Sequence, residues 1–425
     1  GRRHGFLVAQ GAQARRRQGS VKPLNLSPDG KGRAPLRLAL TLGALDAFGP
    51  LSMDLYMPAL PHLAQTLNTT DAMAQLTMSV CMIALGLGQL VVGPLSDRIG
   101  RRTPLLIGVI GFAVFSALCA VAPSIEILLV FRVLQGLCGS AGVVLAIAIA
   151  RDVTSGRELI RMLSLLALVG ASAPIIAPVV GGQLVRFTDW RGIFWLLAAL
   201  GVALFFLART LPETLARARR RAGGGGELLT QIRGLFADKV FVMLLIAGAF
   251  GGTAFFGYLS MCSFVLQGEV GLNPQAFSAV FAVNALVYLG GAQASRMVAK
   301  RGVVFTYLTG QIGAASMTAL FLIGVLTHWP WPLVLCFLAL FMGFNGLGGP
   351  AQTTLAMDGH GERAGTASAM MGVGAFMVGP IVAPLVASFG VSAQSMGTLL
   401  VIGTAVTATL ALTVTAPLIR RRGGL

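Results

Sequence analysis

Three charged side chains stand where charge is costly. Asp46 and Asp54 lie in an apolar run that starts near residue 36 and ends at Pro58, and Arg132 lies inside LLVFRVLQGL, residues 128–137. An ionised group in membrane hydrocarbon costs about 2.5–3.5 kcal/mol or more. Such residues therefore pair, snorkel outward, or line a path for ions and protons. Depth relates the three. At about 1.5 Å per residue, Asp54 lies about 6 Å and Asp46 about 18 Å from the outer end of the first run, and Arg132 about 12 Å from the outer start of its own. Arg132 thus falls between the acids and is expected to bridge to one of them if the two helices adjoin. The chemistry open to this set is protonation. Burial favours the neutral form of a carboxylate, a guanidinium beside it favours the charged form, and opening or closing the site toggles between them. By depth alone Asp46 is nearer the midplane.

The elements that must position these groups are membrane-spanning helices. Of 425 residues 55% are hydrophobic and only 11% charged, with mean hydropathy +0.80; a soluble chain carries about 25% charged residues. Twelve apolar segments follow one another at 36–58, 72–95, 103–122, 125–150, 160–186, 191–211, 239–267, 275–299, 303–327, 331–356, 364–389 and 393–418. The fold class expected is therefore an all-α membrane protein with twelve transmembrane helices in the lipid bilayer. The net charge of +17 does not point to nucleic acid, because the basic residues cluster between apolar runs. Arg98, Arg101, Arg102, Arg151, Arg157, Arg217, Arg219, Arg220, Arg221, Lys300, Arg301, Arg363, Arg420, Arg421 and Arg422 fall on one side, and only Arg186 and Arg191 on the other. The positive-inside rule places both termini in the cytoplasm.

Enzyme and metal chemistry find little support. The five cysteines lie in apolar runs without a C-x-x-C pair, and His4, His62, His328 and His360 lack ligand spacing. There is no phosphate loop or nucleophile elbow. No metal site and no cofactor are expected.

The chain divides in two. Residues 1–33 read as a disordered, basic cytoplasmic tail without a signal-peptide core, 34–211 as a first six-helix bundle, 212–238 as a flexible cytoplasmic linker, 239–418 as a second six-helix bundle, and 419–425 as a short cytoplasmic tail. The halves repeat. FRVLQGLCGSA (131–141) aligns with FMGFNGLGGPA (341–351), APIIAPVV (173–180) with GPIVAPLV (379–386), and GPLSDRIGRR (93–102) more weakly with GAQASRMVAK (291–300). Three matches in order, at nearly one offset, mark a duplication. Parallel repeats about an axis along the membrane normal, with a site between them, describe a family of secondary transporters. Arg132 aligns with Met342, so the charge is kept in one half only.

The motifs carry a resemblance. GPLSDRIGRRT (93–103) resembles, nearly letter for letter, the loop 2–3 motif G-x-x-x-D-R-x-G-R-R/K of the major facilitator superfamily. Gly93 and Gly100 would allow close helix approach and a sharp turn. Asp97 would accept hydrogen bonds from helix ends, and Arg98, Arg101 and Arg102 would stay at the inner surface. The resemblance implies a gating latch for the outward-open state. The run around Arg132 resembles the fourth-helix proton-coupling motif of drug:proton antiporters. APIIAPVVGG (173–182) resembles the fifth-helix antiporter motif G-x-x-x-G-P-x-x-G-G: Pro178, Gly181 and Gly182 match, Pro174 lies within it, and Ala173 and Ala177 replace glycines. MDLYMPALP (53–61), LPETL (211–215), FGYLSMCSFVLQ (256–267) and AGTASAMMG (364–372) look like the Bcr/CflA branch, the bicyclomycin and chloramphenicol resistance exporters. One departure is Cys262-Ser263, where that branch's seventh helix would have Ser-Pro.

What the resemblance implies is a proton-coupled multidrug antiporter of a bacterial inner membrane, monomeric and driven by the proton motive force without a cofactor. It would export small amphipathic or neutral drugs of phenicol or bicyclomycin type. Asp54, in the branch's helix-one string, is the expected proton carrier, Asp46 a second titrating site, and Arg132 the modulator. Met53, Met57, Phe255, Phe256, Tyr258, Asn284 and Tyr288 are candidate cavity contacts, since Met and aromatic walls suit varied apolar ligands. The alternatives are an exporter of an endogenous metabolite or an uptake symporter on the same fold, and, more remotely, a membrane receptor or enzyme.

Overall fold

The structure is a computed structural model and describes residues 36–154, 156–215, 225–358 and 364–421. Twelve helices are long and apolar enough to cross a membrane, and the described residues contain no strand. They are α1 (Leu36–Asp54), α2 (Asp71–Ile99), α3 (Arg102–Ala120), α4 (Ile125–Val153), α5 (Gly156–Leu184), α6 (Trp190–Arg209), α7 (Lys239–Phe264), α8 (Pro274–Val298), α9 (Val303–Leu326), α10 (Trp331–Met357), α11 (Ala364–Ala387) and α12 (Ala393–Leu410). The expected tail at 1–33, Arg217, Arg219–Arg221, Arg363 and residues 422–425 lie outside the described residues.

Helical form follows from the solvent as much as from the sequence. In hydrocarbon each backbone N–H and C=O must be satisfied within the segment, which a helix does. The short polar connections carry the caps: Thr70, Ser124, Asp189, Asn273 and Ser392 each accept a backbone N–H of the helix that follows.

Two segments depart from the expected plan. The first run is not one helix to Pro58. It ends at Asp54, passes through a 3₁₀ turn at Met57–Ala59, and resumes as Leu60–Thr66. Pro58 and Pro61 have no N–H to give the carbonyls of Asp54 and Met57, which removes two α-type bonds. The linker is not structureless either. Gly225–Phe236 is a helix whose Leu235 is fully buried, in one cluster with Val240 and Phe241 of α7 and Ala367 and Met371 of α11.

Packing repeats across the halves. In the first six helices α1 lies on α4 and α5, α2 on α4, α3 on α4 and α6; in the second six α7 lies on α10 and α11, α8 on α10, α9 on α10 and α12. The halves meet along two seams, α5 against α8 and α2 against α11, and at the neutral end α7 also touches α2 and the segment that follows α1. We call the end that carries the arginine-rich connections the basic end and the other the neutral end.

Candidate functional site

Helix α1 brings the two acids to different surroundings. Asp54 is 7% exposed and closes the helix at the break. The turn that follows it is bonded by Ser263 of α7 through the Met57 carbonyl, so Asp54 lies beside the other half of the molecule. Asp46, two turns toward the basic end, is half-buried, and its Oδ2 lies 3.6 Å from where a Cβ on Gly170 of α5 would stand. Among the described residues neither carboxylate forms an ion pair or a hydrogen bond.

Arg132 therefore does not bridge to an acid, contrary to the expectation from depth. It is fully buried inside the first six helices. Its Nε donates to the Thr77 carbonyl of α2 (3.1 Å) and its Nη1 to Oε1 of Gln135, one turn along α4 (2.6 Å). The guanidinium lies 4.7 Å from the ring centre of Tyr56 and 5.5 Å from that of Phe194 on α6. Gln135 passes the chain on to Ser116 Oγ of α3, and the Tyr56 hydroxyl pairs with Thr77 Oγ1 (2.7 Å each). Carbonyl, amide and aromatic faces thus solvate the cation in place of a carboxylate. Depth along an axis says nothing of azimuth. The face of α4 with residues 132 and 135 looks toward α2, α3 and α6, at the level of Tyr56 and so beyond Asp54.

Of the expected cavity contacts, Tyr258 and Asn284 come together. Asn284 Nδ2 donates to the Tyr258 hydroxyl (2.9 Å), and the Tyr258 ring stacks on Phe281 at 5.7 Å. Phe255 and Tyr288 form a second, half-buried pair at 5.7 Å. Phe256 does not join them: it is turned onto Gly379 of α11, where a Cβ would meet its own. Met53 and Met57 are buried in the core that runs through the neutral half of the molecule.

The fifth-helix motif is a spacer. A Cβ on Gly181 would collide with the Leu55 carbonyl beside the break in α1, and one on Gly182 with Ser278 Oγ of α8. Gln275 Nε2 reaches the Gly182 carbonyl (2.7 Å). Glycine at both positions lets α5 fit between α1 and α8. Pro178 is buried in the same helix, which also carries Pro174.

At the basic end Gly100 has φ +106°, which explains the glycine of the tight turn between α2 and α3. Gly93 is looser than expected, since a Cβ there would make ordinary contact with Val144 at 3.7 Å. Asp97 does not accept from a helix end; it pairs with Arg101 at 2.7 Å. Glu213, in the LPETL segment after α6, accepts the backbone N–H groups of Arg101 (2.9 Å) and Arg102 (3.2 Å), where α3 begins. Arg101 also bonds Asp152 at the end of α4 (3.1 Å) and Ser96 Oγ (2.6 Å), Arg102 reaches the Arg209 carbonyl (3.0 Å), and Arg98 is exposed.

Sequence reasoning missed Gln135, Ser116, Thr77, Asp152 and Glu213, and the residues that join the halves at the neutral end. Those are Gln75 with Ser260, Ser263 with the Met57 carbonyl, and Gln267 with the Pro58 carbonyl, beside the bond of Gln275 to the Gly182 carbonyl. The signal available was a lone Gln in an apolar run, at positions 75 and 135.

Twelve spanning helices in two like sets of six, meeting along a seam that carries a buried carboxylate, define a membrane transporter rather than an enzyme. The profile of the Major Facilitator Superfamily matches residues 45–384, and the chain belongs to that superfamily. It is 37% identical over 392 residues to an uncharacterized MFS-type transporter, YdgK, of Bacillus subtilis, covering 91% of this chain and 96% of that one. It is 32% identical to a chloramphenicol resistance protein of Pseudomonas aeruginosa, with 75% of each covered. With a bicyclomycin resistance protein homolog of Haemophilus influenzae it shares 29% over 82% of this chain and 88% of that one. A point mutant of the nucleoside transporter NupG has the same fold, with TM-score 0.73 at 16% identity over 89% of this chain and 99% of that structure. The Bcr/CflA resemblance read from the motifs agrees with these relatives.

Proposed function

We propose that the protein is a proton-coupled exporter of small amphipathic or neutral drugs, set in a bacterial inner membrane with its basic end and both termini in the cytoplasm. The observation that supports this reading best is Asp54, a buried carboxylate without an ionic partner, directly before the turn that the other half holds by Ser263 and Gln267. A carboxylate so placed is a proton site whose occupancy depends on which side the seam is open to. Tyr258, Asn284 and the Phe255–Tyr288 pair stand nearby as ligand contacts, and the resistance named for the relatives fits an apolar, aromatic-lined site. Arg132 acts on this scheme by fixing the packing of α1 at Tyr56, two residues beyond Asp54, rather than by direct pairing.

The drive is sufficient. A proton moving inward supplies about 2.3 kcal/mol per 100 mV of potential, with about 1.4 kcal/mol more per unit of pH difference. One proton per drug then sustains a gradient of tens- to hundreds-fold.

The test uses purified protein in proteoliposomes, with a phenicol added and proton release followed by a pH dye. Drug-stimulated release is expected from the native protein and loss of it, by at least about tenfold, from Asp54→Asn. Undiminished release from the variant removes Asp54 from the scheme. Counterflow of a labelled phenicol, with and without an uncoupler, separates export coupled to protons from transport of another solute.

A further inference from the structure

The seam at the neutral end contains groups that the transport scheme leaves unused. The break after Asp54 leaves the carbonyls of Met57 and Pro58 available to side chains of the other half. Ser263 donates its hydroxyl to the Met57 carbonyl at 2.6 Å, across 206 residues of chain. Gln267 donates to the Pro58 carbonyl at 3.1 Å and to Ser263 Oγ at 2.8 Å. No ion pair joins the halves there among the described residues. On α2, facing the same seam, Gln75 Nε2 donates to Ser260 Oγ, but Gln75 Oε1 is buried without a partner. Ser79 Oγ, one turn along the same face, is buried and unpartnered as well. Buried polar groups are normally satisfied, and an orphan costs free energy that water would return. The same seam therefore holds bonds that keep it shut and groups that would gain partners if it parted.

We propose that Ser263 and Gln267 are positioning residues that hold the neutral end closed, and that Gln75 and Ser79 hold it only just closed. The closed and parted seams then lie close in free energy, as a two-state carrier requires. The bonds are few and neutral, so they break without stranding a charge. They also sit on the segment directly after Asp54, so a change at that carboxylate is transmitted to them through at most five residues of backbone. The inference deepens the transport reading in one respect only: parting of this seam is taken as a step of the cycle.

The experiment reads the seam itself. Cysteines at Gln65 and Gln394, both exposed at the neutral end in different halves, carry nitroxides in a chain with Cys336→Ser, and pulsed electron-spin distances are measured in nanodiscs without drug. Ser263→Ala with Gln267→Ala is expected to raise the long-distance population at least fivefold. Adding Ser79→Ala to that variant is expected to lower it again at least twofold, because the orphan hydroxyl is gone. An unchanged distribution in the latch variant overturns the proposal, and so does a Ser79→Ala effect in the same direction as the latch effect, which is what general loosening of packing gives. If the double variant fails to fold, half-buried Gln267→Ala alone must raise the long distance at least twofold, and no change overturns the proposal. The measurement needs neither drug nor a proton gradient, and it reads the same whichever face of the membrane the end meets. Failure of the proton-release assay and failure of this inference are thus distinguishable.

Discussion

Helices α4 and α10 occupy corresponding places in the two halves, and they differ in one decisive residue. Both pack by the same device. A Cβ on Gly136 would strike the Cys81 carbonyl of α2, and one on Gly346 would strike the Tyr288 carbonyl of α8. Five residues after the start of each repeat string these glycines set the same close backbone approach. At the position after the shared Phe, however, α4 has Arg132 with its shell of Thr77, Gln135, Tyr56 and Phe194, whereas α10 has Met342, buried among apolar neighbours. The connections that follow α2 and α8 show the same division. Gly100 and Gly302 share a left-handed backbone, φ +106° and +114°. Only the first is followed by a network, Arg101 with Asp97, Asp152 and Ser96, while Lys300 and Arg301 are exposed. At these positions duplication has kept the backbone contacts twice and the buried charge once. The glycines belong to the scaffold; the arginines belong to what the first half does.

Replacing Arg132 by the residue of the other half is the strongest way to break this contrast. Arg132→Met should cost about 2–4 kcal/mol, since it leaves Gln135 Oε1 without its donor in a dry interior and removes a buried side chain from its shell. A thermal melt in detergent and loss of transport by more than about tenfold are the readouts. Met342→Leu, a volume-conserving change, should cost less than about 1.5 kcal/mol. If the two melts shift alike, Arg132 is only filling space.

The glycines make the complementary prediction. Gly136→Ala and Gly346→Ala should each destabilise by roughly 1–3 kcal/mol through overpacking, and to a similar degree, because each forces a Cβ onto a neighbouring carbonyl. Gly372→Ala, where a Cβ would meet nothing within 4 Å, is the control and should leave the melt unchanged. A large difference between the two halves would show that the shared packing is not shared in energy.

At the basic end Arg101→Ala should lower stability by about 1–2 kcal/mol, as it removes charge-assisted bonds to Asp97 and Asp152 that are only partly screened by water. Arg301→Ala, on the corresponding exposed turn, should be silent within about 0.5 kcal/mol. The smallest effect is expected at Asp46. Half-buried beside Gly170 and without the seam contacts of Asp54, Asp46→Asn should reduce proton-coupled transport by no more than about threefold. A loss equal to that of Asp54→Asn would exchange the roles of the two acids.

The sequence by itself determined the properties that depend on one dimension. Run length and apolarity set twelve helices, because backbone groups in hydrocarbon have nowhere else to bond. The clustering of arginines marked one end, and repeated strings showed the duplication. Gly100 was readable as a turn residue because a left-handed backbone is a local demand. What the tertiary structure alone decided was direction and partnership. The two carboxylates and Arg132 were rightly singled out as costly, but their spacing and depth could not say that Asp54 lies at a turn bonded to the other half while Arg132 points back into the first six helices. A residue's azimuth on a helix is set by which neighbours pack there. Gln75 with Ser260 and Ser263 with Met57 are joined across 185 and 206 residues of chain. No local pattern records such contacts; they exist only once the two sets of helices have met.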